Sequence, residues 1–115
     1  MSALLTLLVI RSPDIETLKA FYEKIGLIFR QEQHKKGPPH YSSLIGETVF
    51  EIYPLYQGET ADKTRLGFKV NNLDGVVARL IAYDYRVLSP PKHTDYGYCS
   101  IVKDPDGRTV ELYQK

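Results

Sequence analysis

Residues 49–53, VFEIY, and residues 109–113, TVELY, decide the fold, because the second segment repeats the pattern of the first sixty positions later. Both carry apolar residues at their second and fourth positions and a glutamate at the third, which is typical of a strand with one buried face. Working outward, residues 14–18, DIETL, align with residues 72–76, NLDGV, at a shift of 58. The chain therefore consists of two similar halves.

Each half is predicted to contain one amphipathic helix. Apolar side chains follow the spacing i, i+3, i+7, i+10 in both halves, which places them on one helical face. These side chains are Ile15, Leu18, Tyr22 and Ile25 in the first half, and Leu73, Val76, Leu80 and Tyr83 in the second.

The ends of these helices are indicated by capping residues. Ser12 is the expected N-cap of the first helix, and Gly26 is expected to end it. Asn71 or Asn72 is expected to cap the second helix, where Asp84 takes the place of the terminating glycine.

Strands are predicted on both sides of each helix. We expect them at residues 4–11, 28–35, 41–45 and 49–53, and again at residues 64–70, 85–88, 98–103 and 109–113, with a polar loop around Ser89-Pro90-Pro91. The fold class is therefore α+β: two tandem βαβββ modules that form a curved mixed sheet, with the helices on the outer face and a concave cup. Residues 1–57 are module one, 58–63 a connector and 64–115 module two of a single domain.

The strand faces point to a candidate site. One face is apolar and is expected to pack under the helices, whereas the other mixes charged and aromatic side chains. This second face carries Leu7, Val9, Arg11, Glu51, Tyr53, Arg65, Gly67, Lys69, Glu111 and Tyr113. It is either an ordinary solvated sheet surface, or a cup in which Glu51 and Glu111 face the same space and Arg65 offsets their charge.

Composition excludes several classes of function. The chain has 115 residues, with 15 Lys plus Arg against 14 Asp plus Glu, so no basic excess suggests a nucleic-acid partner. The apolar run at residues 4–10 is far shorter than the roughly 20 residues that cross a bilayer, so we expect no membrane association. A single cysteine, Cys99, permits no intrachain disulfide and no thiolate-rich metal site, and favours a reducing cytoplasm.

Several short motifs, in order and spacing, resemble one family. They are Phe21-Tyr22 with Gly26-Leu27, then Phe68-Lys69-Val70 with Leu73-Asp74, Ser89-Pro90-Pro91 with Tyr96-Gly97, and Asp104-Pro105-Asp106-Gly107 with Val110-Glu111-Leu112. Together they resemble the vicinal oxygen chelate superfamily, which includes glyoxalases, bleomycin-resistance proteins and extradiol dioxygenases. The resemblance extends over nearly the whole chain and implies the paired-module fold deduced above.

The resemblance also implies where a metal would be expected. Metal-using members place a His or Gln on the first strand of each module and a Glu on the last. Glu51 and Glu111 match the glutamates, but Leu7 and Arg65 stand at the other two positions. Leucine has no donor atom and a protonated guanidinium does not coordinate, so an ion at Glu51 and Glu111 is disfavoured and we expect no cofactor.

Three histidines offer a displaced alternative. His34 is expected on a strand among polar neighbours, which favours a solvated face. His40, after two prolines, and His93, in the polar loop, are candidates for a pocket mouth.

These observations favour a metal-free, homodimeric, small-molecule-binding protein, as the resemblance to bleomycin-resistance proteins implies. The alternatives are a lyase, isomerase or dioxygenase with a displaced metal site, and a fold that serves only in assembly. No catalytic residue is identified. The predicted ligand-binding residues are Glu51, Glu111, Arg65, Tyr53, Tyr113, Arg11, Lys69 and Tyr96.

Overall fold

The structure of the protein is a computed structural model that describes residues 2–115. The chain divides into two compact units. The first comprises the residues up to Glu23 together with Leu27–Asp62, and the second comprises Lys24–Gly26 together with Lys63–Lys115. Apart from Lys24–Gly26 and the connector, the units follow the two sequence repeats, and we keep the names module one and module two for the repeats.

Module one contains one helix and a four-stranded mixed sheet. Its elements are β1 (Leu7–Ser12), α1 (Ile15–Lys24), β2 (Arg30–Glu32), β3 (His40–Ile45) and β4 (Thr48–Pro54). The strand order is β1-β4-β3-β2, in which β1 is parallel to β4 and the other pairs are antiparallel.

Module two repeats this topology. Its elements are β5 (Leu66–Val70), α2 (Leu73–Ala82), β6 (Val87–Thr94), β7 (Gly97–Lys103) and β8 (Thr109–Gln114). The order is β5-β8-β7-β6, and β5 is parallel to β8. The α+β class and the two βαβββ modules predicted from the repeat are confirmed.

The apolar strand faces form the two cores. In module one Ile10, Phe50 and Ile52 are buried, and the ring of Tyr22 packs edge-on against Phe50 with centroids 5.4 Å apart. In module two Leu112 is buried in the same way as Ile52 in module one. The alternation of apolar and polar residues therefore leaves the opposite face of each sheet for polar side chains.

The helix ends agree with the sequence in part. Asn72 caps α2, where its side chain accepts from the backbone N–H of Gly75 at 3.2 Å, and Asp84 adopts the left-handed conformation after the helix. In α1 the prediction of Ser12 as the N-cap is wrong. The Asp14 side chain accepts from the Thr17 backbone N–H at 3.1 Å, while Ser12 Oγ accepts from Asp14 N–H and shapes the preceding turn.

Two strands differ from the sequence prediction. β2 ends at Glu32, so His34 lies beyond the strand on which it was predicted. The segment around Pro90 is not a loop but part of β6, which also contains His93. Because β6 is the edge strand and its pairing with β7 is irregular between Val87 and Lys92, the missing proline N–H groups are tolerated. Within residues 2–115, no helix is long and apolar enough to cross a membrane.

Candidate functional site

The polar face of module two is organised around Glu111 on β8. Arg65 Nε donates to Glu111 Oε2, and Tyr113 Oη donates to Glu111 Oε1 at 2.5 Å. The Tyr113 hydrogen bond, followed by the Arg65 hydrogen bond and charge, lowers the pKa of Glu111 although burial opposes this shift. The same carboxylate raises the pKa of Tyr113, so the tyrosine keeps its proton.

These three side chains open onto a cavity of about 430 Å³, here named the module-two pocket. The pocket is lined by Arg65, Thr94, Tyr96, Cys99, Ile101, Glu111 and Tyr113. Four of the eight predicted ligand-binding residues thus lie around one cavity. Tyr96 is 85% exposed at the β6–β7 turn, whereas Lys69 lies opposite Tyr113 on β5 and is exposed without lining the pocket.

Three other predicted residues lie on the polar face of module one. Arg11 is paired across the sheet with Tyr53, and its guanidinium lies 5.1 Å from that ring. It also donates to the Pro54 carbonyl and to Tyr56 Oη, each at 3.0 Å. Glu51 lies beside Tyr53. Burial, and then the charge of Glu51, raises the pKa of Tyr53.

Glu51 has a histidine neighbour that its sequence context did not indicate. His40 is 1% exposed, and its Nε2 lies 3.5 Å from Glu51 Oε2 and 3.6 Å from Glu32 Oε1. The Tyr53 ring stacks on His40 with centroids 4.0 Å apart. His34, 69% exposed, lies 3.9 Å from the same Glu32 oxygen. We name Glu32, His34 and His40 the module-one cluster.

His40 was predicted as a loop residue, whereas it is the first residue of β3. The available signal was alternation: Tyr41 and Ser43 are buried toward the core, so His40 and Ser42 belong to the face of Glu51. Extending the strand one residue back would have placed His40 there. His93 is exposed on β6, where its ring packs against Tyr98 at 4.7 Å.

The sequence and the fold of the chain are similar to those of known proteins. A sequence profile of the Glyoxalase/Bleomycin resistance protein/Dioxygenase superfamily matches residues 4–112. The chain belongs to this superfamily. No curated protein sequence matches the chain.

Solved structures of the superfamily share the fold. TnmS3, an antibiotic binding protein from Streptomyces sp. CB03234, is 23% identical, with a TM-score of 0.79 over 98% of this chain and 96% of that one. The oxidase ChaP-H2 is 16% identical, with a TM-score of 0.78 over 100% and 95% of the two chains. A superfamily enzyme from Burkholderia phytofirmans PsJN is 20% identical, with a TM-score of 0.74 over 97% and 98%.

The metal positions of the superfamily have a different chemistry in this chain. Leu7 offers no donor atom, and the Arg65 guanidinium already donates to Glu111. These residues do not fit a divalent ion held in the usual way. Each glutamate has partners within its own module, and the expectation that Glu51 and Glu111 line one common cup stays a prediction.

Proposed function

We propose that the chain binds a small organic molecule in the module-two pocket. The observation that carries the proposal is the 430 Å³ cavity in which Arg65, Glu111 and two tyrosines converge. Its size lies in the range of small-molecule sites, which combine apolar walls with a few polar groups. That TnmS3 is an antibiotic binding protein of the same fold supports binding as the activity.

The lining residues define the class of ligand. Arg65 is 65% exposed and offers N–H donors to a carbonyl, phenolate or carboxylate oxygen. Glu111 accepts a hydrogen bond from Arg65 Nε–H and so holds the guanidinium in place. Little side-chain conformational entropy is therefore lost when a ligand binds. The exposed Tyr96 ring provides a stacking surface. An aromatic molecule with an oxygen acceptor is the best match.

A thermal-shift screen of such molecules tests the proposal. A ligand at 100 times its dissociation constant should raise the free energy of unfolding by about 2.7 kcal/mol. Arg65→Gln and Tyr96→Ala should reduce this stabilisation, whereas Arg86→Gln, an exposed arginine that does not line the pocket, should not. Stabilisation that is equal in all four proteins would place the ligand elsewhere. A chain that no compound in the screen stabilises would favour a role in assembly.

The proposed binding function requires no ion at the superfamily positions. Metal analysis of the chain and of Glu111→Gln tests this, because an ion held there would be lost in the variant. An ion that is present in the wild-type chain and lost with Glu111 would contradict the metal-free proposal. The second candidate function is a lyase, isomerase or dioxygenase with a displaced metal site. The histidines of module one favour it, and it predicts an ion that Glu111→Gln retains.

The proposal also covers the oligomeric state and the location of the protein. We infer a homodimer, because the module-one sheet has outer strands and exposes Leu7 and Leu44, which a second copy can cover. We also infer a cytoplasmic location. Its basis is that the buried Cys99 is the chain's only cysteine, so no structural disulfide demands an oxidising compartment.

A further inference from the structure

The starting observation is a buried nitrogen that lacks a hydrogen-bond partner. Within residues 2–115, His40 Nε2 is the only buried side-chain nitrogen or oxygen in this condition. An unsatisfied buried polar atom destabilises the folded state, and native structures retain few of them. A buried polar atom without a partner indicates that a ligand binds to it.

The other ring nitrogen of His40 defines the state of Nε2. Nδ1 lies 3.2 Å from the Pro38 carbonyl oxygen, which can only accept, so Nδ1 carries the hydrogen. A neutral ring then presents the lone pair of Nε2. Histidines that bind metals are usually held in this way, with the second ring N–H donated to a carbonyl or carboxylate.

The negative charges around His40 Nε2 favour a cation at this position. Carboxylate oxygens of Glu51 and Glu32 lie 3.5 Å and 3.6 Å away, beyond ordinary hydrogen-bond distance. A lone pair that faces two carboxylates is unfavourable unless a positive charge lies between them. Stacking on Tyr53 holds the His40 ring in this orientation.

One ligand–ligand distance matches an edge of a coordination tetrahedron, and the other two are longer, so an ion would draw His34 inward. Zinc bonds of about 2.0–2.2 Å in a tetrahedral arrangement separate neighbouring ligand atoms by about 3.3–3.6 Å. His40 Nε2 lies 3.6 Å and His34 Nε2 lies 3.9 Å from Glu32 Oε1. One donor atom from each of the three residues lies within 4.8 Å of the other two.

We propose that Glu32, His34 and His40 bind one divalent transition-metal ion, of which Zn²⁺ matches the two imidazoles and one carboxylate best. Three protein ligands leave a fourth position for water or a substrate. Glu51, whose Oε2 lies 3.5 Å from His40 Nε2, balances the charge of the ion together with Glu32. The exposed His34 marks the side from which the ion enters. This proposal does not rest on the proposed ligand binding in the module-two pocket.

The experiment is a Co²⁺ titration of the metal-stripped full chain, followed by visible absorption, because tetrahedral Co²⁺ absorbs far more strongly than the hydrated ion. We expect saturation at one equivalent and displacement by Zn²⁺. Loss of outer-shell partners alone typically lowers metal affinity by about 10–100-fold, and loss of a ligand should lower it at least as much. Glu32→Gln and His34→Asn alter partly or largely exposed side chains, so both variants should fold.

His93→Asn is the matched control, because it removes an exposed histidine from module two and should leave the affinity unchanged. Thermal unfolding with Zn²⁺ provides a second readout: the wild-type chain and His93→Asn should be stabilised, and Glu32→Gln and His34→Asn should not. Absence of a saturable one-equivalent spectrum would overturn the proposal, as would equal affinity in Glu32→Gln and His34→Asn. In those cases the space between His40 and the carboxylates binds no metal ion.

Discussion

At the scale of single residues, Arg108 is a charged side chain that is buried and therefore needs partners for its charge. It follows the Asp104-Pro105-Asp106-Gly107 turn and is 1% exposed, and its Nη1 donates to Asp104 at 3.2 Å and to Asp106 at 3.0 Å. Asp104 Oδ1 also accepts the backbone N–H of Arg108 at 3.0 Å. The turn is therefore held by a charged group inside the fold as well as by its proline and glycine.

Arg108→Ala should reduce the free energy of unfolding by about 3–5 kcal/mol, because removing one partner of a buried ion pair leaves the other charge uncompensated. Urea unfolding measures the change. Arg86→Ala, in which the substituted arginine is exposed, should stay within about 0.5 kcal/mol of the wild-type chain. Similar losses in the two variants would show that the ion pair contributes nothing specific.

Glu111 makes the free energy of unfolding depend on pH in the acidic range. Its pKa is lowered from the ordinary value of 4.5 by Tyr113 first and by Arg65 as well. A carboxyl whose pKa is lower in the folded state stabilises the fold above its ordinary pKa, and this contribution is lost as the pH falls through the folded value. The stabilisation is thus present at neutral pH and declines below about pH 4.5.

The measurement is the difference in unfolding free energy between the wild-type chain and Glu111→Gln from pH 7 to pH 3. We expect this difference to favour the wild-type chain at neutral pH and to shrink in acid. Tyr113→Phe removes the main cause of the shift and should weaken the acid dependence. Glu47→Gln, at an exposed position, should run parallel to the wild-type curve. A difference that is constant over the whole range would contradict the role of Glu111.

At the scale of elements, the sequence predicted those features that depend on local chemistry. The repeat placed both helices and the central strands, and Asn72 and Asp84 adopt the backbone conformations that their side chains tolerate. The errors arose where tertiary pairing overrides local preference. Pro90 indicated a loop. An edge strand does not need every backbone N–H for pairing, however, so β6 extends through the proline.

The candidate site shows the same division. The sequence placed Arg65, Glu111, Tyr113 and Tyr96 on alternating strand positions or beside a glycine turn, and they line one pocket. That they bind a ligand stays a prediction. His34 and His40 were considered for a displaced site, but their grouping with Glu32 was not predicted. The three residues come from a strand end, a turn and a strand start, and their proximity depends on the β2–β3 pairing of Glu32 with His40. No spacing pattern in the chain encodes that contact.

The N-terminus of α2 permits a test of one capping residue. Asn72 has φ 50° and ψ 63° and accepts the Gly75 N–H. Asn72→Ala should lose about 1 kcal/mol for the cap and about 1–2 kcal/mol for a left-handed residue with a Cβ. Asn72→Gly should lose only a few tenths, because glycine tolerates this conformation.

Chemical denaturation of the two variants distinguishes these terms, and Asn71→Ala serves as the control at an adjacent exposed asparagine. Equal destabilisation by alanine and glycine at position 72 would mean that backbone conformation contributes nothing and that the side-chain hydrogen bond accounts for the whole effect.

At the scale of the whole molecule, the two modules share a topology but not a polar face. Glu51 and Glu111 occupy equivalent places on the last strands, opposite Ser42 and Ile101 respectively. In module one the glutamate lies beside a buried histidine, whereas in module two it holds an arginine. The two modules thus repeat the apolar faces that determine folding, whereas their opposite faces carry different chemistry.

The homodimer has its clearest physical basis in module one. Leu7 lies opposite Val49, and Val49 lies opposite Leu44, so three apolar side chains form a row across β1, β4 and β3. Leu7 is 52% exposed and Leu44 is 71% exposed. Contact between these apolar side chains and water is unfavourable, and a second copy of the chain would remove it.

We predict that light scattering after size exclusion gives the mass of two chains, and that Leu44→Lys shifts the equilibrium toward one chain at micromolar concentration. Leu88→Lys, which alters an exposed leucine on β6, should remain dimeric. A wild-type chain that is monomeric at micromolar concentration would contradict the dimer. Dissociation by both lysine variants would instead exclude the leucine row as its specific interface.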